Sequence, residues 1–226
     1  MKAARSGRLS VLFVVGVAQV LLLAGVASAL GMTFFDGFDS FDTARWAEES
    51  HVLGRSNLDP ANVDVVDGNL RVKIPARTLN GGEIRSNDLY YQGTYAARMK
   101  LPHAPTSITG FFLYRPPDYA REIDIELYND STRRIMFTTY SGGRLTNTAT
   151  MKLPFDATAA YHNYAFHYGP GVVRFYVDGK VMKTFRDGVP NSSMYLCTNT
   201  WFPTWLDGTR PKSDRYLMVD WIRYSL

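Results

Sequence analysis

The sequence is short of cysteine, histidine and charge. One of its 226 residues is cysteine, Cys197. That excludes a disulfide within the chain and any multi-cysteine zinc site. Four are histidine, at positions 51, 103, 162 and 167, and no two stand in the His-Glu-x-x-His spacing of a metalloprotease. Charged residues make up 20 % and form no block. No paired-glycine or phosphate-loop fingerprint follows a strand and opens a helix, so nothing points to a nucleotide or redox cofactor. No long stretch carries helical periodicity with caps.

Aromatic residues are plentiful. There are 14 Tyr, 13 Phe and 4 Trp, 14 % of the chain, and hydrophobic residues reach 46 %. A disordered chain has neither, and the length suits one domain.

The first 29 residues form a separate object. Lys2, Arg5 and Arg8 are followed by an uncharged stretch from Leu9 to Phe35, with Ala27-Ser28-Ala29 as a small-x-small cleavage site. This reads as a signal peptide over 1–29, with export to the extracellular space or periplasm and a single domain over 30–226. An uncleaved membrane anchor is the competing reading of the same stretch. Removing residues 1–29 takes three positive charges and no negative ones, so the net charge of +4 falls to +1. The basic balance therefore belongs to the leader. It gives no reason to expect a nucleic-acid partner, or a lasting membrane association after cleavage. The expected form is a monomer.

The rest of the chain reads as short strands between turns. Val63–Val66 and Leu70–Ile74 flank Asp67-Gly68-Asn69, and Val172–Val177 and Val181–Phe185 flank Asp178-Gly179-Lys180. Both are hairpin signals. Further strands are expected over 95–101, 108–114, 135–140 and 216–224. This pattern predicts an all-β sandwich of two curved antiparallel sheets, one of whose faces can hold a polymer. Trp46 and Trp221 lie in apolar alternation and are expected in the core. His162 and His167 read as structural. Asn129-Asp130-Ser131 and Asn191-Ser192-Ser193 fit the glycosylation triplet.

The sharpest feature is Arg121-Glu122-Ile123-Asp124-Ile125-Glu126-Leu127. On a strand, Glu122, Asp124 and Glu126 share one face, and Ile123, Ile125 and Leu127 share the other. Three like charges on one face repel and need something to offset them. Catalysis, a cation site and a solvated acidic face are the three readings. Glycoside chemistry fits the spacing. Cα atoms four residues apart lie roughly 13 Å apart, and long side chains leaning together can approach the about 5–5.5 Å carboxyl separation of a retaining glycosidase. Asp124 between them can push the two glutamate pKa values apart. Such chemistry requires no cofactor. Sugar rings stack on aromatic faces and are held at their edges by hydrogen bonds. Trp201 and Trp205 are candidates for the first role and Asn199, matched in parity to Trp201, for the second.

In this context the sequence resembles glycoside hydrolase family 16, most closely its bacterial endo-1,3-1,4-β-glucanases. The match centres on Glu122-Ile123-Asp124-Ile125-Glu126. It extends through Phe35–Trp46, Asp67–Val72, Gly82–Ser86, Tyr91–Lys100 and Gly110–Tyr114, then Tyr161–Phe166, Phe175–Gly179 and Asp220–Tyr224, in family order. The resemblance implies a concanavalin A-like jelly-roll sandwich and a retaining double displacement on a polysaccharide, β-glucan first. It puts Glu122 at the nucleophile, Glu126 at the acid/base and Asp124 at the assisting position. Glu83, Arg85, Tyr140, Asn199 and Trp201 fall at substrate contacts. It also implies a structural calcium on the Asp220 side chain and the Gly68 carbonyl. The chain departs from the family where a Trp stands two residues before the nucleophile: here that residue is Ala120, so Tyr119 or Tyr128 is left to supply the stacking surface. Arg121 replaces an Asp and brings anionic polysaccharides into consideration. A wall-remodelling transglycosylase and a binding protein without turnover are the alternative functions on the same fold.

Overall fold

The computed structural model describes residues 32–226. The expected leader at 1–29 lies outside the described residues. Seventeen strands follow in order: β1 (Phe34–Asp36), β2 (Trp46–Glu48), β3 (His51–Leu53), β4 (Ser56–Leu58), β5 (Val63–Val66), β6 (Asn69–Ile74), β7 (Gly82–Tyr90), β8 (Gly93–Lys100), β9 (Ile108–Arg115), β10 (Arg121–Tyr128), β11 (Arg134–Ser141), β12 (Arg144–Lys152), β13 (His162–Gly169), β14 (Val172–Val177), β15 (Lys180–Phe185), β16 (Met194–Trp201) and β17 (Arg215–Ser225). One 3-10 turn, Pro60–Asn62, is the only helical element among the described residues, and none is long and apolar enough to cross a membrane.

The strands form an all-β sandwich. The outer sheet runs β15-β14-β13-β8-β17-β6-β5, with β1 on β17. The cleft sheet runs β12-β11-β10-β9-β16-β7-β2. A separate pair, β3–β4, completes the set, and the paired strands are antiparallel throughout. Both Asp-Gly turns close hairpins as expected. Asp67 and Gly68 have φ of 50° and 68°, and Asp178 and Gly179 have 47° and 75°. Two successive positive φ values make a type I′ turn, whose twist matches the flanking strands.

The core lies between the sheets. Ile123, Ile125 and Leu127 of β10 are fully buried in it, as their alternation requires. Aromatic pairs span the layers: Phe137 of β11 stacks on Phe175 of β14 at 4.6 Å, and Phe111 of β9 meets Phe166 of β13 at 5.6 Å. Each such pair is worth about 0.5–1.5 kcal/mol beyond its buried area. Cys197 is a free, buried thiol, so packing of this kind holds the sheets together without a disulfide within the chain.

One expectation is corrected here, and one of the two glycosylation triplets is ruled out. Trp46 is buried, its Nε1 donating to Asp36 Oδ2 at 2.8 Å, but Trp221 is partly exposed on the outer sheet, against Phe35. The cause is a bulge: the β17 register slips between Val219 and Trp221, leaving Asp220 as the extra residue. One extra residue inverts the alternation, so Ile222 and Tyr224 point inward and Trp221 outward. Asn129 cannot accept a glycan in the folded chain. It is fully buried, accepts from Thr109 Oγ1 and donates to Ser107 Oγ and Thr200 Oγ1.

Candidate active site

The register of the cleft sheet sets the site out in rows across the strands. Glu122 of β10 stands between Tyr140 of β11 and Tyr114 of β9, with Tyr195 of β16 next. Asp124 stands between Thr138 and Phe112, followed by Cys197 and Arg85. Glu126 stands between Met136 and Gly110, followed by Asn199 and Glu83. The face opens into a cleft of about 680 Å³. Every residue expected at the site lines it: Glu122, Asp124, Glu126, Glu83, Arg85, Tyr119, Tyr140, Asn199, Trp201 and Trp205.

The carboxylates occupy the floor. Asp124 is 4 % exposed, and burial beside Glu122 and Glu126 holds its carboxyl well above the ordinary range. Burial, then the charge of Glu126, push Glu122 up to about 8, against a hydrogen bond from Asp124 that favours its charged form. Glu126 is pushed up to about 7 by burial alone. The cluster therefore keeps protons at neutral pH. Its members also differ in kind: Asp124 supports the ionised form of Glu122, and nothing equivalent supports ionised Glu126.

Beside this floor, Asn199 is fixed at both ends of its amide. Its Oδ1 accepts from the Gly110 backbone N–H at 3.1 Å, and its Nδ2 donates to Glu83 Oε2 at 2.8 Å. A Cβ at Gly110 would lie 2.7 Å from Asn199 Oδ1, so only glycine leaves room there between Glu126 and Asn199. Arg85 is engaged within the wall: its Nε donates to Glu49 Oε1 at 2.6 Å and its guanidinium lies 4.3 Å over the Tyr195 ring.

The aromatic walls settle what the sequence left open. Trp205 is 55 % exposed and meets Trp201 edge-on at 5.5 Å. Trp201 is 8 % exposed and also packs with Leu58 and Ile108, so it serves core and cleft together. Tyr119 is 54 % exposed and lies 5.1 Å from Tyr140. Its φ of 62° is left-handed, a strained state for a tyrosine that surrounding contacts must hold. The turn after β11 supplies them, Gly143 N–H donating to Tyr119 O and Gly142 N–H to Ala120 O. Tyr128 is absent from the cleft lining and lies under the Arg134 guanidinium at 3.8 Å.

Further lining residues escaped the sequence reading: Glu49, His51, Tyr114, Asp118 and Tyr195. Tyr114 and Tyr195 follow from parity once their strands are paired. Asp118, which accepts from Tyr114 Oη at 2.6 Å, and Glu49 and His51 come from loops and a short strand with no periodic signal.

Gly68 and Asp220 lie on the other side of the sandwich, in and beside the outer sheet. Asp220, on the bulge of β17, has its carboxylate on the guanidinium of Arg98 from β8. Arg98 lies 4.8 Å over the Tyr161 ring, whose hydroxyl donates to Asn69 Oδ1 at 2.8 Å. Asn69 adjoins Gly68 in sequence. Asp220 thus has a held cation from its own chain, and a calcium ion there would face that guanidinium's positive charge. These residues do not fit a calcium site.

Comparison with known proteins places the geometry. A family profile, "Glycosyl hydrolases family 16", matches residues 55–223. A beta-glucanase of Bacillus amyloliquefaciens is 30 % identical over 90 % of this chain and 91 % of its own. One from Brevibacillus brevis is 29 % identical over 94 % of this chain and 89 % of its own. The solved structure of a Bacillus licheniformis beta-glucanase superposes with a TM-score of 0.79 at 26 % identity, covering 87 % of this chain and 99 % of that one.

Proposed function

The chain belongs to glycosyl hydrolase family 16 and is a glycosidase, and from that premise we propose that it is an exported, retaining endo-β-glucanase acting on β-1,3/1,4- or β-1,3-linked glucan. The observation that carries the reading is the cleft floor, where Glu122, Asp124 and Glu126 face one open groove between aromatic walls. Glu122 attacks the anomeric carbon as the glycosidic C–O bond breaks, and the leaving oxygen takes the proton of Glu126. Water then attacks the same carbon and passes a proton to Glu126 as Glu122 departs. Asp124, donating to Glu122, favours the ionised nucleophile and offsets part of the rise that burial and the charge of Glu126 impose on it. The raised Glu126 remains a proton donor at neutral pH.

The charge of the cleft favours a neutral polymer. Six carboxyl groups line it: Glu49, Glu83, Asp118, Glu122, Asp124 and Glu126. Its two basic side chains, Arg85 and His51, stand against Glu49 and Glu83. Arg121 is not among the lining residues, and Arg115 points to Ser193. A sulfated or uronate-bearing chain would find no unpaired cation among the lining residues to meet its charge. The test is incubation with lichenan, laminarin, xyloglucan, agarose and carrageenan, with products read by linkage and anomeric form. Lichenan or laminarin should yield oligosaccharides born as β-anomers. Cleavage confined to carrageenan, or α-anomers at the new ends, would overturn the reading.

We propose further that the fold stands without calcium, Arg98 supplying the positive charge at Asp220. A ligand that binds only the native state raises the melting temperature. Millimolar calcium or excess chelator should move this protein's Tm by less than about 1 °C. A saturable rise with calcium, reversed by chelator, would refute the assignment.

A further inference from the structure

His51 is the one histidine among the described residues that lines the cleft. It opens β3, in the separate β3–β4 pair, and its side chain is 42 % exposed. Its Nε2 lies 3.4 Å from Oε1 of Glu83. Glu83 is 6 % exposed, and its other oxygen is held by Asn199. Asn199 is tied in turn to the backbone of Gly110, which stands beside Glu126 on β9. One row of the sheet thus runs from Glu126 through Gly110 and Asn199 to Glu83, with His51 at its end. From β10 to β7 the row crosses three strand spacings, about 14 Å. His51 therefore stands several sugar units from the bond between Glu122 and Glu126, too far to exchange a proton with the reacting atoms.

We propose that His51 and Glu83 form a donor–acceptor clamp for hydroxyls of a remote glucose unit, with the imidazolium as donor. The proposal rests on the reading of the cleft as a glucan site. A pair of vicinal hydroxyls both donates and accepts, so a carboxylate beside an imidazolium satisfies both halves at once. A neutral polymer also needs a site without net charge, which this pair supplies. Asn199 leaves Glu83 Oε1 as the oxygen turned to His51, so the clamp is set before sugar arrives.

The clamp is sensitive to pH. Glu83, through hydrogen bond and charge, raises the His51 pKa above its ordinary value against the opposing effect of burial. The charged groups around His51 are few. Glu83 faces it from β7, and Glu49 just before β3 adds negative charge while bonded to Arg85. Asp59 shares the pocket on the other side of the β3–β4 pair and caps the 3-10 turn through Ala61 N–H. The charged form therefore persists to higher pH than in a free imidazole. As pH rises through the folded pKa the imidazole loses one N–H, and binding weakens.

The test is titration of a β-1,3/1,4-linked glucotetrasaccharide into full-length protein carrying Glu122→Ala, alone and combined with His51→Gln, between pH 6 and pH 9. Glutamine keeps a hydrogen-bond donor and removes the titration. The single variant should bind progressively more weakly as pH rises. The double variant should bind about tenfold more weakly at pH 6 and lose most of that pH dependence. In a Glu122-intact background, His51→Gln should raise KM on polymer far more than it lowers kcat, while a short aryl glycoside that does not reach Glu83 shows little change. Equal affinity with the same pH dependence in both proteins would overturn the clamp and leave the glucan reading standing. Failure of both to bind, with melting temperatures intact, would overturn the glucan reading and the clamp with it.

Discussion

Replacing Glu122 by alanine is expected to lower kcat on polymeric glucan by about 10⁴-fold or more, the scale seen when a covalent nucleophile is removed, while the fold persists. The argument starts from the strand. Glu122 lies on the cleft face of β10, and the residues that hold the strand in the core are Ile123, Ile125 and Leu127 on the other face. Removing the carboxylate takes away the group that attacks carbon and leaves Glu126 in place as acid. Azide, small enough for the vacated space, should then restore turnover of an activated aryl glycoside and yield the α-glycosyl azide, because it attacks from the face Glu122 occupied. The variant also carries a stability signature. The native carboxyls titrate at about 7 and about 8, against roughly 4.3 for an unfolded glutamate. The native state therefore holds protons that the unfolded chain releases, and wild-type stability falls as pH rises through that window. With one such group gone, the variant should melt higher than wild type at pH 8 and nearly level with it at pH 5. Calorimetry at the two pH values checks this, and a Tm below wild type at pH 8 would show that the side chain supports the fold.

Much of this arrangement was legible in the sequence, and the exceptions have physical causes. β10 announces itself because one face is core and the other cleft, which gives strict alternation. The Asp-Gly hairpins are equally plain, since the turn type demands those residues. β16 is nearly all buried, Met194 to Trp201 having a single partly exposed member, Tyr195, so it shows no alternation. β12, at the sheet edge, is largely exposed and rich in threonine. β7 is polar because it carries Glu83 and Arg85 into the site. The order of strands, with β16 inserted between β9 and β7, has no local signal. That order is what brings Asn199 to Glu83 across 116 residues of sequence. Trp221 departs from its expected place for a different reason: the alternation along β17 is regular, but the bulge at Asp220 shifts its phase. Asp220 keeps the outward phase of the strand before the bulge, which is why it faces Arg98 of β8.

For Glu126→Ala the expected loss depends on the leaving group, and that dependence separates it from Glu122→Ala. A positioned general acid contributes about 10²–10⁴-fold, all of it when the departing group is a sugar hydroxyl that leaves poorly unprotonated. With an aryl glycoside whose phenol leaves readily, the first step should survive and the glycosyl enzyme should accumulate. Azide should then attack that intermediate from the opposite face and give the β-glycosyl azide, the reverse of the Glu122→Ala product. If the two roles were exchanged, the two azides would exchange as well, so one pair of product analyses decides both assignments. The pH profile adds an independent check. Wild-type kcat/KM should be bell-shaped with both limbs in the neutral range, belonging to the cluster as a whole. Removing Glu126 should abolish the alkaline limb, because no acid is left to deprotonate. It should also move the acid limb to lower pH, because the charge of Glu126 is, after burial, the largest influence raising Glu122. An alkaline limb that persists unchanged in Glu126→Ala would assign the proton donor elsewhere in the cleft, and Asp124, the remaining buried carboxyl with a raised pKa, would be the group to replace next.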